Sequence, residues 1–154
     1  MLRNKSYKAY SLMEIVIILG LFFGILAMIL PVGVRELQVN RAQTSAFDIE
    51  SALNLVQSNA YTGLNGKDYG IKLETDKYIT YTGNDYISQE SSDEFILNLS
   101  VNISNINLVP AITDINFNTG QLQANVSGSF DIGTPEQIYR VHITEQGLIY
   151  TERL

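Results

Sequence analysis

Residues 14–34 read EIVIILGLFFGILAMILPVGV, and after the carboxylate of Glu14 the run carries no charge and no strongly polar side chain. About twenty residues of α-helix span the roughly 30 Å hydrocarbon core of a bilayer. Length and composition therefore predict a membrane-crossing helix. Glu14 stands just inside its leading edge, where a carboxylate is costly unless it is paired. A glutamate that merely snorkels to the interface is the bland reading. The sharper one gives Glu14 a partner and a role. Ahead of the run lies MLRNKSYKA, with Arg3, Lys5 and Lys8; such a basic leader holds an N-terminus in the cytoplasm.

A secretory signal peptide has a shorter apolar stretch followed by a small-residue cleavage site. Here the run is too long and no A-x-A site follows it. A plain single-pass anchor fits the length but leaves Glu14 unexplained. It also leaves unexplained why helical patterning continues beyond Val34. Apolar or small residues follow at Leu37, Ala42, Ala46, Ile49, Leu53, Val56 and Ala60, and from Ala42 onward they share one helical face. Arg35, Glu36, Arg41, Asp48 and Glu50 occupy the other faces. Gly63 and Asn65-Gly66 end the pattern. One helix is thus predicted from about residue 10 to about residue 60, on the order of 75 Å long. It is apolar all round in its first half and amphipathic in its second. Pro31 lacks an N–H and clashes with the preceding turn, so it is expected to kink the helix.

The 154-residue chain leaves room for one modest domain beyond this helix. It has no Cys, which removes disulfides, thiolate zinc sites and cysteine nucleophiles. Net charge is −6 overall; without the leader, seven basic residues face sixteen acidic ones, giving −9. An acidic head is a poor binder of nucleic acid.

Past residue 60, Thr, Tyr, Ile and Asn dominate and the period becomes two. Residues 69–73 and 78–81 read as strands, and 112–117 alternates throughout. The stretch EFILNLSVNI at 94–103 is largely apolar. Residues 82–85, 118–120 and 145–147 read as turns, the last closing a hairpin of 137–144 with 148–153. Residues 84–93 and 105–110 read as loops. The expectation is α+β: seven or eight antiparallel strands in a sheet whose apolar face packs on the amphipathic half of the helix. The domains are then a leader (1–9), a transmembrane half-helix (10–34), an amphipathic half-helix (35–60) and a β-rich head (61–154).

Chemistry is sparse. His142 is the only histidine, so no Ser/His/Asp constellation assembles around it and a structural role is expected. Asp76, Asp85, Asp93 and Glu94 lie near loops but match no cation-binding spacing. No catalytic residue, metal or cofactor is expected.

The segment Ala9-Tyr10-Ser11-Leu12-Met13-Glu14 followed by IVIILGLFFGILAMILP resembles the N-terminus of a type IV prepilin. Ala stands where that family usually has Gly, and Tyr where it usually has Phe. The resemblance implies that a prepilin peptidase cuts between Ala9 and Tyr10 on the cytoplasmic side. It also implies that Tyr10 becomes the N-methylated terminus and that Glu14 is the assembly glutamate. Pro31 matches a proline common in pilin helices. Ser51-Ala52-Leu53, Asn59-Ala60, Tyr69-Gly70-Ile71, residues 115–120, 139–143 and 147–149 are similar to the GspH/FimT group of minor pilins and pseudopilins.

That resemblance implies a non-enzymatic subunit of a type IV pilus or type II secretion filament. Such a subunit is held in the bacterial inner membrane with its head outside, then assembled with other pilin or pseudopilin subunits by an inner-membrane platform. Glu14, meeting the N-terminus of a neighbouring subunit, would set the register. Three alternatives stay open: a major pilin, a DNA-capturing minor pilin, and an anchored binding domain that does not polymerise.

Overall fold

The structure, a computed structural model, describes residues 12–154. Helix α1 spans Leu12–Tyr61, and a 3-10 turn follows at Leu64–Gly66. Eight strands come next: β1 (Tyr69–Leu73), β2 (Lys77–Thr82), β3 (Ser91–Ile96), β4 (Asn102–Val109), β5 (Asp114–Phe117), β6 (Ser127–Thr134), β7 (Gln137–Ile143) and β8 (Ile149–Arg153). The chain divides into two compact units, Met1–Glu36 and Leu37–Leu154.

In the first unit, the described residues belong to α1 alone. Leu26 is half-buried; the other large apolar side chains from Leu12 to Val34 are exposed, from 47% at Leu19 to 82% at Leu12.

The second unit is an α+β head in which the helix packs on antiparallel sheets. Ala42, Ala46, Ile49, Leu53, Val56 and Ala60, the seam expected from spacing, are all buried. Three- and four-residue steps keep these side chains on one helical face. They join Ile71, Leu73, Ile115 and Phe117 from one sheet and Phe130, Ile132, Val141 and Ile143 from another in a single core. Each large side chain buried there stabilises the fold by about 1.5–3 kcal/mol. Leu37 departs from the expected seam and is 57% exposed. It lies five residues before Ala42, a step of about 500° that carries it off the buried face.

Two four-stranded sheets replace the one that was expected, in the orders β3-β2-β1-β5 and β4-β6-β7-β8, with every pairing antiparallel. The division falls inside residues 94–103, whose pattern had read as one continuous apolar run. β3 ends at Ile96, and the chain crosses to the second sheet through Leu97–Val101, with Val101 buried in the core. The expected loop at 105–110 is instead mostly strand. Leu108 is buried, and Asn107, Leu108 and Val109 pair with Ser129, Gly128 and Ser127 after a register shift between Ser104 and Asn107. Asn105 takes φ 46 within this bulge, a left-handed conformation that Asn tolerates better than most residues. The loop read at 84–93 stops short, because Ser91 already pairs with Thr82.

The final hairpin forms as expected, with Ile143 opposite Ile149 and Gly147 at φ 86. Gln57 of α1 ties this turn down, its Nε2 donating to the carbonyls of Gly147 (2.6 Å) and Leu122 (2.7 Å).

Candidate functional site

The strongest functional feature is the unburied first half of α1. Contiguous exposed apolar surface of this kind marks a contact with membrane or with another protein. By length and composition the helix can cross a membrane, and its most apolar stretch buries nothing within the fold. Glu14 is exposed in the first described turn, where a carboxylate complements the positive end of the helix dipole. Pro31 lies within α1. Ala9 and Tyr10, the proposed processing pair, lie outside the described residues.

Other residues singled out from sequence do not converge. His142 on β7 stacks on Tyr150 at 4.7 Å, with its Nε2 3.4 Å from a Glu152 oxygen. Asp85 accepts hydrogen bonds from the backbone N–H (2.7 Å) and hydroxyl (2.9 Å) of Ser88 in an exposed loop. Asp93 and Glu94 sit on β3 and Asp76 just before β2. Among the described residues, no group of three or more His, Asp or Glu is placed to hold a metal ion.

Two polar clusters emerge that sequence reading did not single out. In one, Arg140 grips the buried carboxylate of Asp131, which also accepts from Asn105 Nδ2 at 2.9 Å. The Arg140 hydrogen bond holds the Asp131 carboxyl below the usual carboxylate range, against the opposing effect of burial. A signal existed: Thr134 and Gln137 bracket a two-residue turn, and counting back from it sets Asp131 opposite Arg140.

In the other cluster, the Tyr81 hydroxyl donates to Asp114, whose second oxygen accepts from the Tyr86 N–H at 3.2 Å. Asn116 Nδ2 donates to the carbonyls of Gly83 (3.0 Å) and Asn84 (2.9 Å). Lys72 Nζ lies 3.9 Å from the centroid of the Tyr86 ring. Together these contacts fasten the loop after β2 over one face of the first sheet. Burial pushes the Tyr81 phenol far above its ordinary pKa, and Asp114 adds to the effect. Both clusters tie separate segments of the head together.

This architecture, a long N-terminal helix packed on antiparallel sheets, defines a pilin-like fold of the GspH type. Solved structures with the same fold include the minor pseudopilin EpsH from the type 2 secretion system of Vibrio cholerae. It covers 73% of this chain and 97% of its own, with a TM-score of 0.52 at 17% identity. A crystal structure of the minor pseudopilin EPSH from the same system covers 73% and 94%, with a TM-score of 0.49 at 15% identity. No family model matches the sequence, and no curated protein does.

Proposed function

We propose that this chain is a non-enzymatic structural subunit, a minor pilin or pseudopilin, of a type IV pilus or type II secretion filament. The observation that carries the reading is α1 itself. Its residues 42–60 build the core of an α+β head, while the large apolar side chains of its first half, Leu26 apart, are exposed. A monomer in water would not keep such a surface open. A membrane, and then a bundle of like helices, would cover it. The fold shared with a minor pseudopilin supports the same reading.

In this proposal the leader holds the N-terminus in the cytoplasm and the head lies outside the inner membrane. Prepilin peptidase cuts between Ala9 and Tyr10 and frees an α-amino group four residues before Glu14. The Tyr10 amine is then N-methylated. During assembly on the inner-membrane platform, Glu14 pairs with the N-terminus of a neighbouring subunit. In a low-dielectric bundle a mispaired carboxylate is strongly penalised, so this pairing sets the stagger between subunits. Pro31 loosens the helix where it leaves the membrane.

Intact-mass and N-terminal analysis of membrane-extracted protein tests the proposal. A species beginning at Tyr10 and heavier by one methyl group is expected. A species still beginning at Met1, in cells with an active prepilin peptidase, would overturn it in favour of an anchored domain.

A further inference from the structure

β3 is an edge strand, bonded to β2 on one side, and every residue of Ser91–Ile96 is exposed. The N–H of Leu97 donates to Asp76 O, in register with the Tyr78–Phe95 and Thr80–Asp93 pairs. Hydrogen-bonded pairs alternate along an antiparallel ladder. Asp93 and Phe95 therefore turn their backbone groups toward β2, while Ser92, Glu94 and Ile96 turn theirs to the open edge.

Beside this edge, between α1 and β3, lie two hollows of about 360 and 320 Å³. Tyr78 and Phe95 line both hollows and stack at 5.0 Å with an interplanar angle of 10°. Ala52 and Leu55 of α1 add apolar wall, and Leu55 is 62% exposed. Asp48 on the helix and Asp93 on β3 supply the charge. Neither has an ion-pair partner among the described residues, whereas Glu94 is engaged by Lys77 at 3.1 Å and Glu90 by Lys67.

We infer that this pair of hollows is a docking site for an extended, basic segment of another protein, which adds to β3 as a fifth strand. Open edges are templates for strand addition. Side chains alternate across a strand, so an added segment would send every second residue toward the hollows. The stacked Tyr78–Phe95 rings and Leu55 accept apolar groups, and basic side chains of the segment would meet Asp93 in one hollow and Asp48 in the other. The charges also select against a second copy of this chain. Pairing β3 with itself would bring its Asp93-Glu94 pair close to the same pair, and like charges on adjacent strands repel. Of the other edge strands, β4 carries no cation, β5 carries Asp114, and β8 carries Glu152 beside Arg153. The inference stands apart from assembly through α1.

The test uses the full chain in detergent micelles and a fluorescent hexapeptide alternating Lys and Val, with a Glu/Val hexapeptide as control. Fluorescence anisotropy is expected to show saturable binding of the Lys peptide. Binding should weaken about tenfold, or about 1.4 kcal/mol, in the D48N/D93N double variant, and should weaken further as salt rises. A Lys peptide N-methylated on the backbone groups that face β3 should bind less well. Absent binding, equal binding of the Glu peptide, or binding unchanged by D48N/D93N would overturn the inference. A Ser92→Cys variant separates out self-pairing: disulfide-linked dimers that displace the peptide would assign the edge to a second copy and overturn the choice of partner. Processing and filament assembly should be unaffected by D48N/D93N, so failure here is distinct from failure of the filament reading.

Discussion

Arg140 holds Asp131 with two parallel hydrogen bonds, Nε to Oδ1 at 2.7 Å and Nη2 to Oδ2 at 3.0 Å, and the two residues are cross-strand partners on β7 and β6. Asp131 is 1% exposed, although Phe130 and Ile132 on either side fill the core. The carboxylate lies under the guanidinium and the Asn105 amide, so its charge is compensated where water does not reach. Removing one partner of such a pair leaves the other uncompensated. Arg140→Ala should destabilise the head, because it leaves the buried Asp131 carboxylate with only the Asn105 amide, read as a lower melting temperature of the detergent-solubilised chain. An unchanged melting temperature would place the pair among ordinary surface ion pairs.

The same pair sets a pH dependence. The folded-state pKa of Asp131 is depressed, chiefly by Arg140. Its contribution is therefore complete above the unfolded-state value of about 3.9 and is lost as pH falls through the lower folded-state value. Asp85, held low by the Ser88 N–H, acts in the same direction. Melting curves from pH 7 down to pH 2 should show a steep acid limb in the native chain. Asp131→Asn should make that limb shallower and lower the stability at pH 7.

Gly70 lies beneath the Tyr81 ring so closely that a Cβ at this position would overlap it. The ring cannot yield cheaply, because its hydroxyl is bound to Asp114. Gly70→Ala should cost about 2 kcal/mol or more through overpacking. Near-UV circular dichroism should register the displaced tyrosine, and an unchanged spectrum with unchanged stability would contradict this packing.

Leu53 and Leu55 lie two residues apart on α1, one fully buried and the other mostly exposed. Leu53→Ala should destabilise by about 3 kcal/mol. Leu55→Ala should stay within about 0.5 kcal/mol of the native chain. Chemical denaturation of both variants checks the contrast, and equal losses would refute the assigned helical face.

Glu14→Ala should leave membrane insertion and the melting of the head unchanged while abolishing incorporation into filaments. The comparison is between the membrane fraction and the sheared or sedimented filament fraction. Normal incorporation of the variant would remove Glu14 from the assembly mechanism.

Much of the fold is legible along the chain. The Ala42-to-Ala60 seam followed directly from 3.6-residue periodicity, a property of neighbouring residues alone. The final hairpin was equally plain, because Gly147 marks its turn. The strand at residues 105–109 was not. Its Asn-rich composition argues for a loop, and only pairing with β6 across the bulge at Asn105 makes it a strand. The exposed apolar half-helix and Glu14 were visible from composition. The hollows beside β3 were not, since Asp48, Leu55, Asp93 and Phe95 come from two distant segments.

The sequence by itself determined the long helix, its change from wholly apolar to amphipathic, the β-rich character of the head and the position of Glu14. Those properties reside in runs of adjacent residues, where period and hydropathy act locally. Only the tertiary structure decided that the strands form two sheets, that Asp131 is buried beneath Arg140, and that β3 is left with an open edge beside two hollows. Each of these depends on contacts between segments far apart in the chain. Such contacts form only when burying the common core outweighs the entropy of closing the loops between them.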